Sequence, residues 1–435
     1  MRCPTTILAL LFCLPIAGCG RHSEEATPAQ LAPEDYGRLP ALKNSSSPKL
    51  REELDRIVEQ GGTPEQLSEA TIADAENVAA ELRDLFPADK VASILLESQK
   101  IFPTGQFEFN PLQLQKAIGF RKKYESEQLR ARQALKRPRC RLDIDFMSGF
   151  LADLTIVDVL RICGRLEAFQ AAEALADDKP HEAIDSLEAM LLWAAHLAAE
   201  KHSQARAQGA FARTEAFVVL QATARHEKTT RAGLVRLYEA VQRQLKQWPN
   251  DADAVVGDRA LGMHAYEMIR DGNLVALLTD EEIEEFSKEA KIDDFIAATK
   301  RNADRDELYY LQTMRQIIES CRQPYYARLE LFDAVRDELE QKKNLSEFPT
   351  VAARLLLPEV RKAQAMQAQD RANWEAWAVA LAAATGRQPL PFAVSPLTGR
   401  KYACQRDGDF IVVGNFGTGV GNDTPTLFAP FLGGE

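Results

Sequence analysis

The sequence predicts a mainly α-helical protein, built of stacked helical hairpins or an irregular helical bundle, with a small C-terminal β-hairpin. Three observations point there. Apolar residues recur at the three-and-four spacing of a helix from Leu50 to about Ala384. Breaks rich in Pro, Gly, Asn and Asp cut that run into pieces of roughly 15–25 residues, the size that folds back as antiparallel hairpins. After Ala384 the pattern changes to short apolar strands separated by glycine-bearing turns.

In chain order, residues 1–18 form a signal peptide. One positive charge at Arg2 precedes the largely apolar run Thr5 to Pro15, and small residues lead to Cys19. The segment is too short to span a bilayer as a stable helix and has the layout of a secretory signal. Its ending, Ile16-Ala17-Gly18-Cys19, resembles a bacterial lipobox. The resemblance implies cleavage before Cys19 and acylation, palmitate included, of its thiol and new amine. Residues 19–48 carry Ser, Glu, Pro and Ala without periodicity and read as a lipidated cysteine followed by a flexible tether.

The helical body covers residues 49–384, with candidate lobes at 49–140 and 145–384. Thr63-Pro64-Glu65-Gln66 is a capping box with proline at the first helical position, and Thr279-Asp280-Glu281-Glu282 is another. Ile156, Leu160, Cys163, Leu166 and Phe169 mark one helix before the break Asp177-Asp178-Lys179-Pro180. Ile184, Leu187, Leu191, Ala194 and Ala198 mark the next, and Met190, Trp193 and Leu197 widen its apolar arc, which predicts neighbours on more than one side. This hairpin resembles a single tetratricopeptide-type unit, but no second copy recurs at that period. Trp248 to Asp251, Asp271-Gly272-Asn273 and Gln323-Pro324 are further breaks. In the tail, residues 385–435, Gly386 stops the last helix. Strands are expected over Arg400 to Cys404 and Phe410 to Val413, with a turn at Asp407-Gly408 and a glycine-rich loop from Gly414 to Gly421.

Composition narrows the function classes. The chain of 435 residues is 46% hydrophobic and 27% charged, an ordinary water-soluble balance, and its net charge is −11. An acidic chain repels phosphate backbones and anionic lipid heads, so nucleic acid is not an expected partner and membrane attachment is expected through the lipid on Cys19. Of seven cysteines, Cys140, Cys163, Cys321 and Cys404 remain after signal removal and lipidation. An oxidising compartment permits disulfides among them, with three pairings open, and four buried thiols are the alternative. Their wide spacing gives no zinc motif.

No catalytic residues, cofactor or metal site are predicted. His181 and Asp185 stand one helical turn apart, but just after Pro180, where a surface helix start is the simpler reading. His196 sits in an apolar run and reads as a core histidine; His202, six residues on, faces elsewhere. His264 and Glu267 have the spacing of a carboxylate-bridged metal site without the matching second helix. The glycine loop lacks a Gly-Lys-Ser/Thr ending, and Asn422-Asp423 supply too few oxygens for calcium. Trp374 and Trp377 suit either core packing or a sugar- or peptide-binding platform. Glu281 to Glu285 read as a solvated face.

Three stretches carry a wider resemblance: Ala174 to Leu197, Leu355-Leu356-Leu357-Pro358, and Gly386 to Pro389 followed by Ser395 to Tyr402 and Asp407 to Val413. Together they resemble a family of exported helical proteins abundant in planctomycete-type bacteria, which brings no activity with it. The last stretch is also similar to the tail of type II secretion pseudopilins, although Ser395 stands where such tails usually carry Asp. The expectation is a lipid-anchored interaction or scaffold module facing the periplasm, with a protein partner in the envelope. Gly20 after Cys19 favours the outer over the inner membrane. The alternatives are an envelope enzyme using cleft carboxylates on peptidoglycan or glycan, and an accessory of secretion or surface assembly.

Overall fold

The computed structural model describes residues 47–430 except 70–71, 104–108, 281–282, 285–286, 288–291, 343–348, 388–393, 408–409 and 415–426. The expected helical body is present. Its first part comprises α1 (Pro48–Glu59), α2 (Pro64–Glu69), α3 (Val78–Leu82), α4 (Ala88–Ile101), α5 (Pro111–Lys123) and α6 (Glu125–Ala134). A run of long helices follows: α7 (Thr155–Ala176), α8 (Pro180–Ala199), α9 (Ser203–Arg225), α10 (Arg231–Lys246) and α11 (Asp251–Asp271). The body closes with α12 (Ile292–Ser320), α13 (Tyr325–Lys342) and α14 (Leu357–Thr385).

Local chemistry sets these boundaries. Thr63 and Gln66 exchange the two hydrogen bonds of a capping box, each at 3.2 Å, at the start of α2. Asn250 accepts from Ala252 N at 3.0 Å and so starts α11 directly after Pro249. Before α14 the chain makes one π turn, Ala352–Leu356. Pro358 has no N–H to donate back into that turn, which removes the regular α-helical bond there. Gly386 ends α14 with φ 68°, a left-handed conformation that a side chain would oppose. The Thr279 box lies partly outside the described residues.

The helices enclose three main apolar clusters. One joins α3 to α7, with Phe120 and Phe169 edge to face at 5.6 Å. A second fills the space between α7, α8, α9, α10 and the C-terminal half of α14. The third joins α1, α11, α12 and α13 to the N-terminal end of α14. α14 therefore belongs to two clusters at once. Trp374 and Trp377 are buried in the second, with the Phe217 ring 4.7 Å from that of Trp374. They are core residues and present no binding platform.

The tail differs from expectation in two respects. Residues 395–400 fold into a turn, with Ser395 N donating to Arg400 O and Gly399 N to Ser395 O, both at 2.9 Å. The first strand, β1 (Ala403–Asp407), consequently starts later than its apolar pattern suggests. It pairs antiparallel with β2 (Phe410–Gly414), with Asp407 opposite Phe410. A third strand, β3 (Leu427–Pro430), then adds to the other edge of β2, making a three-stranded sheet of order β1-β2-β3. The stretch Leu427–Pro430 is thus a strand, and the sheet packs on α14 and α9.

The close approach of α8 and α9 is testable. A methyl group on Gly209 of α9 would lie 2.7 Å from Ala198 N and 3.0 Å from Ala194 O of α8, so the two backbones would have to separate. Gly209→Ala is expected to cost about 1–3 kcal/mol of unfolding free energy. Gly119, in α5, has nothing within 4 Å of such a methyl. Gly119→Ala should raise stability by about 0.5–1 kcal/mol. Denaturant unfolding of both variants distinguishes a packing constraint from general glycine tolerance.

Candidate functional site

The strongest concentration of chemistry in the molecule is a buried ionic seam where the second and third clusters meet. α14 is apolar at both ends, with Leu357 and Val360 in one cluster and Trp374 to Ala384 in the other. Between them, Gln364, Gln367 and Asp370 follow at three-residue spacing and are buried, at 1%, 7% and 7% exposure. Such groups are stable inside only when hydrogen-bonded or paired.

Three arginines supply the partners. Arg213 of α9, 3% exposed, holds Asp370 at 2.7 Å, and its guanidinium also lies 4.4 Å from the Trp248 ring centre. Arg328 of α13 donates to Gln364 Oε1 and to Asp251 Oδ2, each at 2.6 Å. Arg206 of α9 reaches Gln367 Oε1 at 3.3 Å and the Asn250 carbonyl at 3.4 Å. Farther along α14, Glu375 accepts from Tyr402 Oη at 2.7 Å and from Arg371 Nε at 3.0 Å, tying the tail to the same helix.

A second buried group joins α11 to α12. Arg270 bridges Glu267 at 2.8 Å, Asp304 at 2.9 Å and Glu307. Burial opposes the Arg270 charge, but Glu307 and Glu267 outweigh it and its pKa is raised. Asp306 accepts from Tyr266 Oη at 2.5 Å and from Val351 N and Ala352 N at 2.9 Å. It is a remote cap for the helical run leading into α14. Glu267 and Glu307 are two facing buried carboxylates, the arrangement a glycan-cleaving site would need. Arg270 stands between them and occupies an oxygen of each.

Several carboxyls pair with fewer groups. Burial pushes Asp258 up to about 7 against the opposing effects of Ser203 and Arg206. It pushes Glu200 up to about 7 although Leu142 N donates to it at 2.6 Å. Burial also raises Asp370 to about 6, because desolvation exceeds the help from Arg213.

The residues singled out in the sequence lie apart. His181 is exposed, and Asp185 pairs with Arg236 at 2.6 Å on the surface. His196 stacks edge-on to Trp193 at 6.2 Å, while His202 is fully buried beside Phe146; burial lowers both to about 4. Glu267 belongs to the Arg270 group, and no group of three or more His, Cys, Asp or Glu suited to a metal occurs among the described residues. Cys140, Cys163, Cys321 and Cys404 carry free thiols: Cys163 is buried in α7, and Cys404 is exposed on β1. Cys140 packs on the cluster that holds Cys163, and burial pushes its thiol up to about 12. No helix among the described residues is long and apolar enough to cross a membrane. Cys19, Glu281, Glu282, Glu285, Asn422, Asp423 and the glycine loop beyond Gly414 lie outside the described residues.

The seam itself was overlooked in the sequence. Its signal is there: polar residues every three positions in a helix whose two ends are strongly apolar. No protein family, no curated protein and no solved structure matches this chain.

The raised carboxyls fix a pH dependence. For Glu200 and Asp258 the folded-state pKa exceeds the unfolded one, so folding binds protons near neutrality and stability falls as pH rises through about 7. His196 and His202, lowered by burial, oppose this only below about pH 6.5. Between about pH 6.5 and 8.5, stability should fall by on the order of 1 kcal/mol per carboxyl. Thermal unfolding of the wild type should show this decline, and the Glu200→Gln/Asp258→Asn variant should be nearly flat. A wild-type profile that rises over that window contradicts the assignment.

Proposed function

We propose that the chain is a lipid-anchored cell-envelope protein whose helical body acts as an interaction or scaffold module facing the periplasm. One observation supports the body's part of this reading above the others: its buried charges are bound to one another between helices. Arg213–Asp370, Arg328–Asp251, Arg270–Asp304 and Arg165–Glu215, at 2.6–2.9 Å, brace the helices against each other. A braced stack of helical hairpins holds its outer faces in fixed relation, which suits a protein that positions partners. The lipobox-like Cys19 supports attachment to a membrane, with the outer membrane favoured by Gly20.

An envelope enzyme acting on peptidoglycan or glycan is the second reading. The facing pair Glu267 and Glu307 favours it, and the Arg270 bridge weighs against it, because a general acid needs its proton free to move. A role beside secretion machinery rests on the similarity of the tail to pseudopilin tails.

Two measurements test the proposal. In about 0.5 M salt, which screens electrostatic attachment, Cys19→Ala should move the protein from the membrane to the soluble fraction; retention in membranes at that salt contradicts the lipid anchor. Affinity capture from detergent-solubilised envelopes should recover a stoichiometric protein partner. Recovery of none, together with release of soluble fragments from purified peptidoglycan, establishes the enzyme instead.

A further inference from the structure

The average charge of the chain conceals a local reversal. Between residues 111 and 141 there are ten basic and two acidic side chains, a net +8, so the remainder of the −11 chain carries −19. This segment forms α5, α6 and the turn that follows them, and its helices lie on α7 through Ala117, Phe120, Gln128, Ala131 and Ala134, which are buried. The opposite stripe holds Leu112, Lys116, Lys122, Leu129, Arg130 and Lys136, all exposed.

Much of the segment's charge is bound internally. Arg121 pairs with Glu173, Arg132 with Glu167, and Arg137 with Glu81. Lys116, Lys122, Arg130 and Lys136 make no ion pair among the described residues. The same stripe carries Leu112 and Leu129, which at 61% and 57% exposure are the most exposed large apolar side chains among the described residues. Cations interspersed with exposed leucines match a lipid headgroup surface, where the charges meet phosphates and the leucines enter the acyl boundary.

We infer that the outer face of α5 and α6 docks the body on an anionic phospholipid surface. Charge complementarity carries the choice of occupant: the remainder of the chain, at net −19, is repelled by an anionic surface, while this face is attracted to it. A polynucleotide fits less well. The aromatic ring between the two helices, Tyr124, packs on Phe86 and Phe120 at 5.7 and 5.0 Å and is not free to stack on a base. The inference holds with or without an acyl chain on Cys19.

The test uses the full chain carrying Cys19→Ala, so that lipidation contributes nothing. It is sedimented with vesicles of phosphatidylcholine alone or with about 30 mol% phosphatidylglycerol. Binding should require phosphatidylglycerol and weaken in about 0.5 M salt. Each of Lys116→Glu, Lys122→Glu, Arg130→Glu and Lys136→Glu should weaken it by at least about fivefold. Leu112→Ser/Leu129→Ser should weaken it while keeping its salt dependence. These positions are exposed, so unchanged thermal unfolding confirms that the variants fold. Equal binding to both vesicle types, or charge variants that bind as the wild type does, overturns the inference. So does tighter retention on a polynucleotide than on the vesicles, or charge-dependent self-association without vesicle binding.

Discussion

A charge taken out of water costs several kcal/mol unless an opposite charge and further hydrogen bonds receive it. That constraint governs the Arg213–Asp370 pair, which is buried on both sides at 2.7 Å where two apolar clusters meet on α14. Neither partner tolerates the absence of the other. α9 and α14 must therefore sit in the one register that brings Arg213 to Asp370 and Arg206 to Gln367, and α13 in the one that brings Arg328 to Gln364. Apolar packing alone would accept small slips between two helices so rich in alanine. Directional bonds would not. At this seam the ionic network specifies geometry, and the hydrophobic clusters on either side supply the driving force for collapse.

The same logic extends along the chain. Asp306 reaches from α12 to the helical run before α14, Arg270 joins α11 to α12, and Tyr402 ties the tail to Glu375. These bonds tie successive elements together, and Arg213–Asp370 and Arg206–Gln367 join α9 to α14 across 157 and 161 residues, so the parts are braced against each other instead of being strung as independent repeats. Charge left over from bracing is unevenly distributed: internal pairs absorb most of the body's arginines, while four unpaired cations share the outer stripe of α5 and α6. A rigid frame with one oppositely charged face has a preferred way to lie against an anionic surface.

Legibility in the sequence followed the range of the interactions. The Thr63–Gln66 box, the stop at Gly386 and the breaks at Pro180, Asn250 and Pro324 depend on residues a few positions apart, and they could be read directly. So could the core placement of Trp193, which lies inside a broad apolar arc. The third strand could not, since β3 is defined by pairing with β2 across a long glycine-rich connection. The seam escaped because Gln364, Gln367 and Asp370 look like an ordinary wet face until α9 and α13 cover them. The basic stripe escaped for another reason: a net charge is an average, and +8 within thirty-one residues disappears in −11 over the whole chain.

The central claim is that the seam is held by mutual dependence of its charges. A double-mutant cycle at Arg213 and Asp370 tests it, with unfolding free energies measured by denaturant titration. Arg213→Met and Asp370→Leu should each cost about 3–5 kcal/mol, because each leaves a buried charge alone. The double variant, an apolar pair in the same space, should lose far less than the sum and fall close to the wild type. Losses that simply add would show that the two side chains do not depend on each other, and that the helices are placed by packing alone.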